Sequence, residues 1–235
     1  MGGDGTVNEV GNGLMGTGAA LGVIPTGTGN DWVRTAGIDR DVEAGCRLAF
    51  QGRLSKMDVG LAHGHRHFFN GAGFGFDAEV CVWVNKHGRS WKRVSGTLPH
   101  LMGVVNTLFQ FTGVPVDVDI DGQTIHIPRL LLMALGNGRY FGGGMKIVPE
   151  AKLDDGLFDL AWGQNLGRME LVGLVGKIYK AEHVGHPKVS MAQGRKITAS
   201  STAHVPFQLD GDVAGHLPVT FEILPQALDA VLPES

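Results

Sequence analysis

Residues 1–13 read MGGDGTVNEVGNG, with two glycines, an aspartate, a glycine and a threonine directly ahead of a helical pattern. Glycines let consecutive main-chain N–H groups converge on an anion. A helix capped by Thr6, with Glu9 three residues on, fits a capping box and turns its positive end the same way. Alone, such a cluster reads as a glycine turn that merely caps a helix. A second stretch changes the weighing. Residues 19–25, AALGVIP, read as a buried strand; Pro25-Thr26-Gly27-Thr28-Gly29-Asn30-Asp31 follows it and opens a helix from Asn30 to Gly37. Two such loops on neighbouring parallel strands lie side by side at the carboxyl edge of an α/β sheet, where ligands bind. Arg34, about one helical turn past Asp31, reaches the same face. Two glycine loops, the carboxylates of Asp4 and Asp31 and one guanidinium together suit a nucleoside triphosphate and its metal.

Composition narrows the class. A chain of 235 residues with 43% hydrophobic and 18% charged residues holds a sizeable core and is globular rather than disordered. A net charge of −3 argues against general attraction to nucleic acid. Cys46 and Cys81 form no CxxC pair, which points away from a disulfide framework or thiolate zinc and towards a reducing, cytoplasmic compartment. No signal peptide or transmembrane segment is apparent, the longest apolar run being LLLMAL at 130–135.

Along the chain, Asp41 caps a helix through Phe50. KMDVGLAHGHRHFFNGAGFG reads as two strands around a His-Gly turn, and FDAEVCVWVNK and GTLPHLMGVVNTLFQF as helices. Asp121-Gly122 between alternating runs signals a hairpin. LFDLAWG, RKITASS, VPFQLDGD and LPVTFEIL read as strands, with a helix over 168–180. These patterns predict an α/β plus β-rich chain: a partial α/β nucleotide-binding domain at 1–57, a mainly antiparallel β-sandwich with helices at 58–225, and a strand or tail at 226–235 returning to the first domain. His63, His65 and His67 alternate, and a solvated hairpin is preferred to a metal site there. KHGRSWKR at 86–93 is basic around Trp91 and could rest on an anionic membrane surface.

GGDGTVNEVGNG followed by GVIPTGTGNDWVR closely resembles the diacylglycerol kinase catalytic domain family, which includes bacterial lipid kinases and sphingosine kinases. The resemblance continues, in the family's order, through FFNGAGFGFDAEV, GNGRYFGGGMKIVPEAKLDDGLFDL, HPKV and FQLDGD. It implies an active site in the cleft between the two domains. It also implies transfer of the γ-phosphoryl of ATP to a lipid hydroxyl, of diacylglycerol or a sphingoid-like acceptor, at a membrane surface, and leaves a homodimer open. It assigns Gly3, Asp4, Gly5, Thr6, Val7, Asn8 and Glu9 to the ATP phosphates. Thr28 becomes a further nucleotide contact, and Asp4 and Asp31 work around ATP and the catalytic Mg²⁺.

The family's base is usually the glutamate of an Asp-Gly-Glu turn. Here Asp210-Gly211-Asp212 stands in its place, and Asp212 is one methylene shorter. KLDDGL matches a structural Mg²⁺ loop, with Asp155 as carboxylate ligand and Lys152 and Leu157 giving carbonyls; a loop-stabilising aspartate is an equal alternative. An NAD kinase-like enzyme, on the GGDGT loop, and a catalytically silent nucleotide- or lipid-binding protein are the competing assignments. In the family a strand with its own phosphate loop precedes GGDGT. This start therefore predicts a first domain only partly encoded, poorly soluble or weakly active when expressed alone.

Overall fold

The computed structural model describes residues 1–87 and 98–234. The first stretch holds three helices, α1 (Asp4–Leu14), α2 (Asp31–Thr35) and α3 (Val42–Gln51). The rest is built on an antiparallel sheet of β1 (Arg53–Ala62), β2 (Arg66–Phe68), β3 (Gly71–Gly75), β4 (Val114–Ile120), β5 (Gln123–Gly136), β6 (Phe158–Gln164), β7 (Val189–Gly194), β8 (Lys196–Ser200), β9 (Pro206–Leu209), β10 (Asp212–His216) and β11 (Val219–Leu232). Helices α4 (Phe76–His87), α5 (Leu98–Gln110) and α6 (Arg168–Ile178) interrupt the strands. Residues 88–93 of the basic KHGRSWKR stretch lie outside the described residues.

The strands run β10-β9-β3-β5-β4-β8-β11-β1-β2, and β6 joins β5 to β7. The long β5 serves three neighbours: residues up to Leu130 pair with β4, and the stretch to Gly136 pairs with β3 on one edge and β6 on the other. Asp121 and Gly122 both take positive φ at the β4–β5 turn, the conformation that a two-residue hairpin demands and that an Asp-Gly pair allows. Phe68, Phe74, Phe158, Phe207 and Phe221 fill the main core, where Phe74 and Phe221 stack at 6.5 Å and Phe207 meets Phe221 edge-on at 5.8 Å.

A second core joins the N-terminal stretch to the sheet. Val7, Leu21, Val23, Trp32 and Val33 pack on Met57 and Val59 of β1, Leu228 and Ala230 of β11, and Leu153. The sequence boundary at 57 falls inside β1, and residues 226–232 are the continuing end of β11.

Several local expectations need correction. Thr6 is not a cap: α1 starts at Asp4 from Gly3, without a side-chain cap bond. Gly2 N–H bonds to Ile24 O at 3.1 Å and Gly2 O accepts from Thr26 N–H at 3.1 Å, so the extended chain ends at Gly2 and the helix turns immediately after. AALGVIP is extended but not a regular strand. It makes single parallel bridges, Gly2 with Pro25 and Leu21 with Ala230, because each neighbour runs beside it for one residue pair only. The three histidines fall as the preferred hairpin has them, His63 and His65 exposed in the β1–β2 turn and His67 in β2. β7 and β10 carry no alternation strong enough to announce them. Asp41 does cap α3, accepting from Ala44 N–H at 2.9 Å.

The β1–β11 ladder breaks between Met57 and Val59. Asp58, fully buried there, fills the irregularity by accepting from Gly156 N–H at 2.6 Å and Gln226 N–H at 2.8 Å. Asp58→Ala strands both donors, at about 1–3 kcal/mol each. The expected outcome is a loss of about 3 kcal/mol in urea unfolding with an unchanged slope, a shift in midpoint alone.

Candidate active site

The two N-terminal glycine turns meet backbone to backbone. A Cβ on Gly3 would lie 2.8 Å from Gly27 Cα, and one on Gly27 would collide with Gly3 Cα and with Asn30 Oδ1. Only hydrogen fits at either position. Val7 N–H is the first to find an intrahelical partner, Gly3 O at 3.0 Å. The N–H groups of Asp4, Gly5 and Thr6 are therefore the orphan donors of the helix end. Val7 itself is buried in the second core, whereas Gly5, Thr6, Glu9 and Thr28 are exposed.

Asp4 links the loops, its Oδ1 accepting from Trp32 N–H at 3.1 Å. Asp31, only 6% exposed, accepts from Gly143 N–H at 2.8 Å through Oδ2, while its buried Oδ1 is unpartnered. Burial first, and the neighbouring Asp4 charge among the smaller causes, push the Asp31 carboxyl up from 3.8 to about 6. Arg34 opposes that shift and anchors its Nε on Gly29 O at 3.3 Å. The guanidinium lies beside Gly144, where a Cβ would be 3.5 Å from Cζ.

The third wall comes from the far half of the chain. Gly142, Gly143 and Gly144 all have positive φ, which lets Gly143 approach Gly29 and Asp31. The Asp210-Gly211 turn is tied to α1 by Asn8 Nδ2, which donates to Asp210 Oδ2 at 2.7 Å across 202 positions of sequence. Asp210 also accepts from the N–H groups of Phe69 (2.9 Å), Asn70 (2.9 Å) and Gly71 (2.8 Å). Burial raises its pKa in spite of those four donors. Asp212 is exposed at the first position of β10, opposite Leu209. It lies near enough to Cys81 that its charge is among the causes, after burial, holding that thiol up at about 12.

The structure thus brings Gly3, Asp4, Gly5 and Thr6 together with Asp31 and Arg34, and fastens the turn bearing Asp212 to the same helix through Asn8. Asn8 is occupied by that bond. Lys152, Asp155 and Leu157 lie in a separate loop, where Asp155 Oδ1 accepts from Leu157 N–H at 3.1 Å. Asn70, Gly143 and Gln208 were not singled out in the sequence, and Asp210 stood there only as the first residue of the Asp210-Gly211-Asp212 turn. The three-glycine run was the one local signal; the others act through contacts between distant segments.

The diacylglycerol kinase catalytic domain matches residues 1–62, and the YegS C-terminal NAD kinase beta sandwich-like domain matches residues 71–232. The chain belongs to the diacylglycerol kinase family. It is 33% identical to the diacylglycerol kinase of Staphylococcus carnosus, over 99% of this chain and 75% of that protein. It is 32% identical to that of Staphylococcus epidermidis, over 99% and 73%. A diacylglycerol kinase crystal structure from Bacillus anthracis superposes with a TM-score of 0.75 at 27% identity, over 98% of this chain and 75% of that one. The resemblance read from the glycine loops is thereby established for the family.

Asp31 also sets a pH dependence. Its folded value lies above the ordinary one, so the folded chain binds this proton more tightly than the unfolded chain. Stability is therefore lost as pH rises from about 4 to 6, by about 3 kcal/mol for this group alone. Urea unfolding at pH 4.5 and 6.5 is expected to show a smaller loss in Asp31→Asn than in the unaltered chain. An equal loss in both removes Asp31 as a source.

Proposed function

We propose that this lipid kinase transfers the γ-phosphoryl of ATP, bound with Mg²⁺, to the hydroxyl of a diacylglycerol-like lipid, and that Asp212 is the base. The observation that carries this reading is the tether from Asn8 to Asp210, which holds the Asp212 turn against the helix whose first N–H groups follow the glycine turn.

The local chemistry supports an anion with a divalent cation. Main-chain N–H groups at the start of α1 suit phosphate oxygens. Asp4, Asp31 and Asp212 outnumber the single guanidinium of Arg34, so a bare triphosphate would meet net repulsion, and a metal complex would not. Asp31 Oδ1, buried without a partner beside Asp4, is the oxygen donor such a cation lacks. Bound Mg²⁺ would neutralise charge on the phosphates as the phosphoryl group moves.

In this reading Gly3–Thr6 hold the phosphates, Thr28 and Glu9 flank them from exposed positions, and Arg34 offsets the charge of the transferring group. Asp212 accepts the proton of the lipid hydroxyl. The hydroxyl oxygen then forms the new P–O bond as the bond to the β-phosphate oxygen breaks and ADP leaves. The lipid would be met at a bilayer surface; no helix among the described residues is long and apolar enough to cross one.

The second Mg²⁺ would be structural, held by Asp155 and the carbonyls of Lys152 and Leu157. After burial, the charge of Asp155 is among the causes that raise the pKa of both Asp58 and Asp159, a crowding of carboxylates that a cation would relieve.

Asp212→Asn, assayed with ATP and diacylglycerol in mixed micelles, is expected to lose turnover by at least about a hundredfold while ATP affinity stays within a factor of about two. Near-normal turnover would remove Asp212 as the base. ATP binding by the unaltered chain, with no transfer to any lipid, would mark a silent member of the family.

A further inference from the structure

We infer that Gln208 is a positioning residue for phosphoryl transfer, fixing the turn that bears Asp212 to helix α4. The inference rests on the reading of Asp212 as the base. Gln208 is 4% exposed in β9, and its backbone is held on both edges, opposite Gly73 of β3 and Val213 of β10. That leaves only its side chain free to choose partners. Oε1 accepts from Gly211 N–H at 2.7 Å, and Nε2 donates to Asp77 Oδ2 at 3.1 Å. One amide therefore spans from the middle residue of Asp210-Gly211-Asp212 to the first turn of α4.

Both ends of the bridge are constrained. Asp77 sits hard against β3, its Oδ2 filling the space that a Cβ on Gly73 would need. The Gln208 amide is the side-chain donor to this carboxylate, alongside the backbone N–H groups at the start of α4. Helix α4 is in turn seated by Phe76 and Val80 on Leu171 and Leu174 of α6, with Val84 packed against the same cluster. At the other end, Asp210 and Gly211 have φ of 47° and 93°. Asp210 is pinned by its four donors, whereas Gly211 is exposed, so its N–H has Gln208 or water to choose from. Gln208 thus settles the half of the turn that Asp210 leaves loose, and Asp212 is the next residue.

This arrangement separates two effects. Water can replace Gln208 at the exposed Gly211 N–H, so that end of the bridge costs little folding stability to lose; at the buried Asp77 end the missing donor carries a stability cost. The phosphate-facing glycines are reached through Asn8 and Asp210, and the bridge does not touch them. What loosens is the placement of the base, and misplacement by about 1 Å can cost about a hundredfold in rate.

The test compares the unaltered chain, Gln208→Met and Asp212→Asn. Methionine matches glutamine in length and cannot make either bond. Gln208→Met is expected to lower kcat about ten- to a hundredfold, with KM for ATP within about twofold and a melting temperature lower by about 2–12 °C, the cost of the donor lost at Asp77. In the unaltered chain the Gly211 amide should exchange with solvent measurably slower than a free amide, a readout that needs no variant to fold. Gly211 exchanging at the free rate, kcat of Gln208→Met within twofold, or kcat and ATP affinity falling together would each overturn the role. An inactive Asp212→Asn beside a fully active Gln208→Met refutes the positioning alone; an active Asp212→Asn faults the assignment of the base.

Discussion

One carboxylate holds the two halves of this molecule in working relation. Asp210 gathers the Asn8 amide from α1 and three consecutive main-chain N–H groups from Phe69, Asn70 and Gly71. Each donor, directed at a charged acceptor, is worth about 1.5–3 kcal/mol. Such a cluster repays the burial of the carboxylate only when all of its members are present, so it is specific as well as strong. It stops the β2–β3 connection, the β9–β10 turn and α1 from moving separately. The candidate base stands two residues away, on the turn that the Asn8–Asp210 bond joins to α1.

Elsewhere the same economy recurs. Backbone meets backbone where side chains would keep segments apart, at Gly3 with Gly27 and at Gly29 with Gly143. Carboxylates then knit the closely approaching chains by collecting N–H groups. Asp4 takes Trp32, Asp31 takes Gly143 and Asp58 takes Gly156 and Gln226. A site made in this way is crowded with negative charge, and the raised carboxyl of Asp31, at about 6, records the cost of burial. In the proposed reading, a cation-bearing phosphate ligand would turn that cost into binding. Family membership and cleft chemistry therefore point to the same reaction from independent directions.

Much of this was legible in the sequence, for physical reasons that also explain what was not. The Asp121-Gly122 hairpin, the Asp41 cap and the periodicity of α4 and α5 are local, and short windows carry them. The proximity of the two glycine loops followed from their likeness to one another. The bond between Asn8 and Asp210 joins positions 202 residues apart and leaves no local pattern. Gln208 looks like any strand residue until β3, β9 and α4 converge on it. Thr6 misled because its spacing to Glu9 satisfies a capping rule, although the helix begins earlier, at the point where Gly2 leaves its bridge to Pro25. Residues 19–25 have the composition of a buried strand, but hydrogen bonding depends on what runs alongside.

The account stands or falls on whether Asn8 and Asp210 act as a pair. A double-mutant cycle of Asn8→Ala and Asp210→Ala, read as the rate of phosphoryl transfer from ATP to diacylglycerol, measures this directly. The predicted coupling is about 1.5–3 kcal/mol, the value of a hydrogen bond to a charged acceptor. Effects that add to within about 0.5 kcal/mol would contradict it, since the two residues would then be serving separate ends.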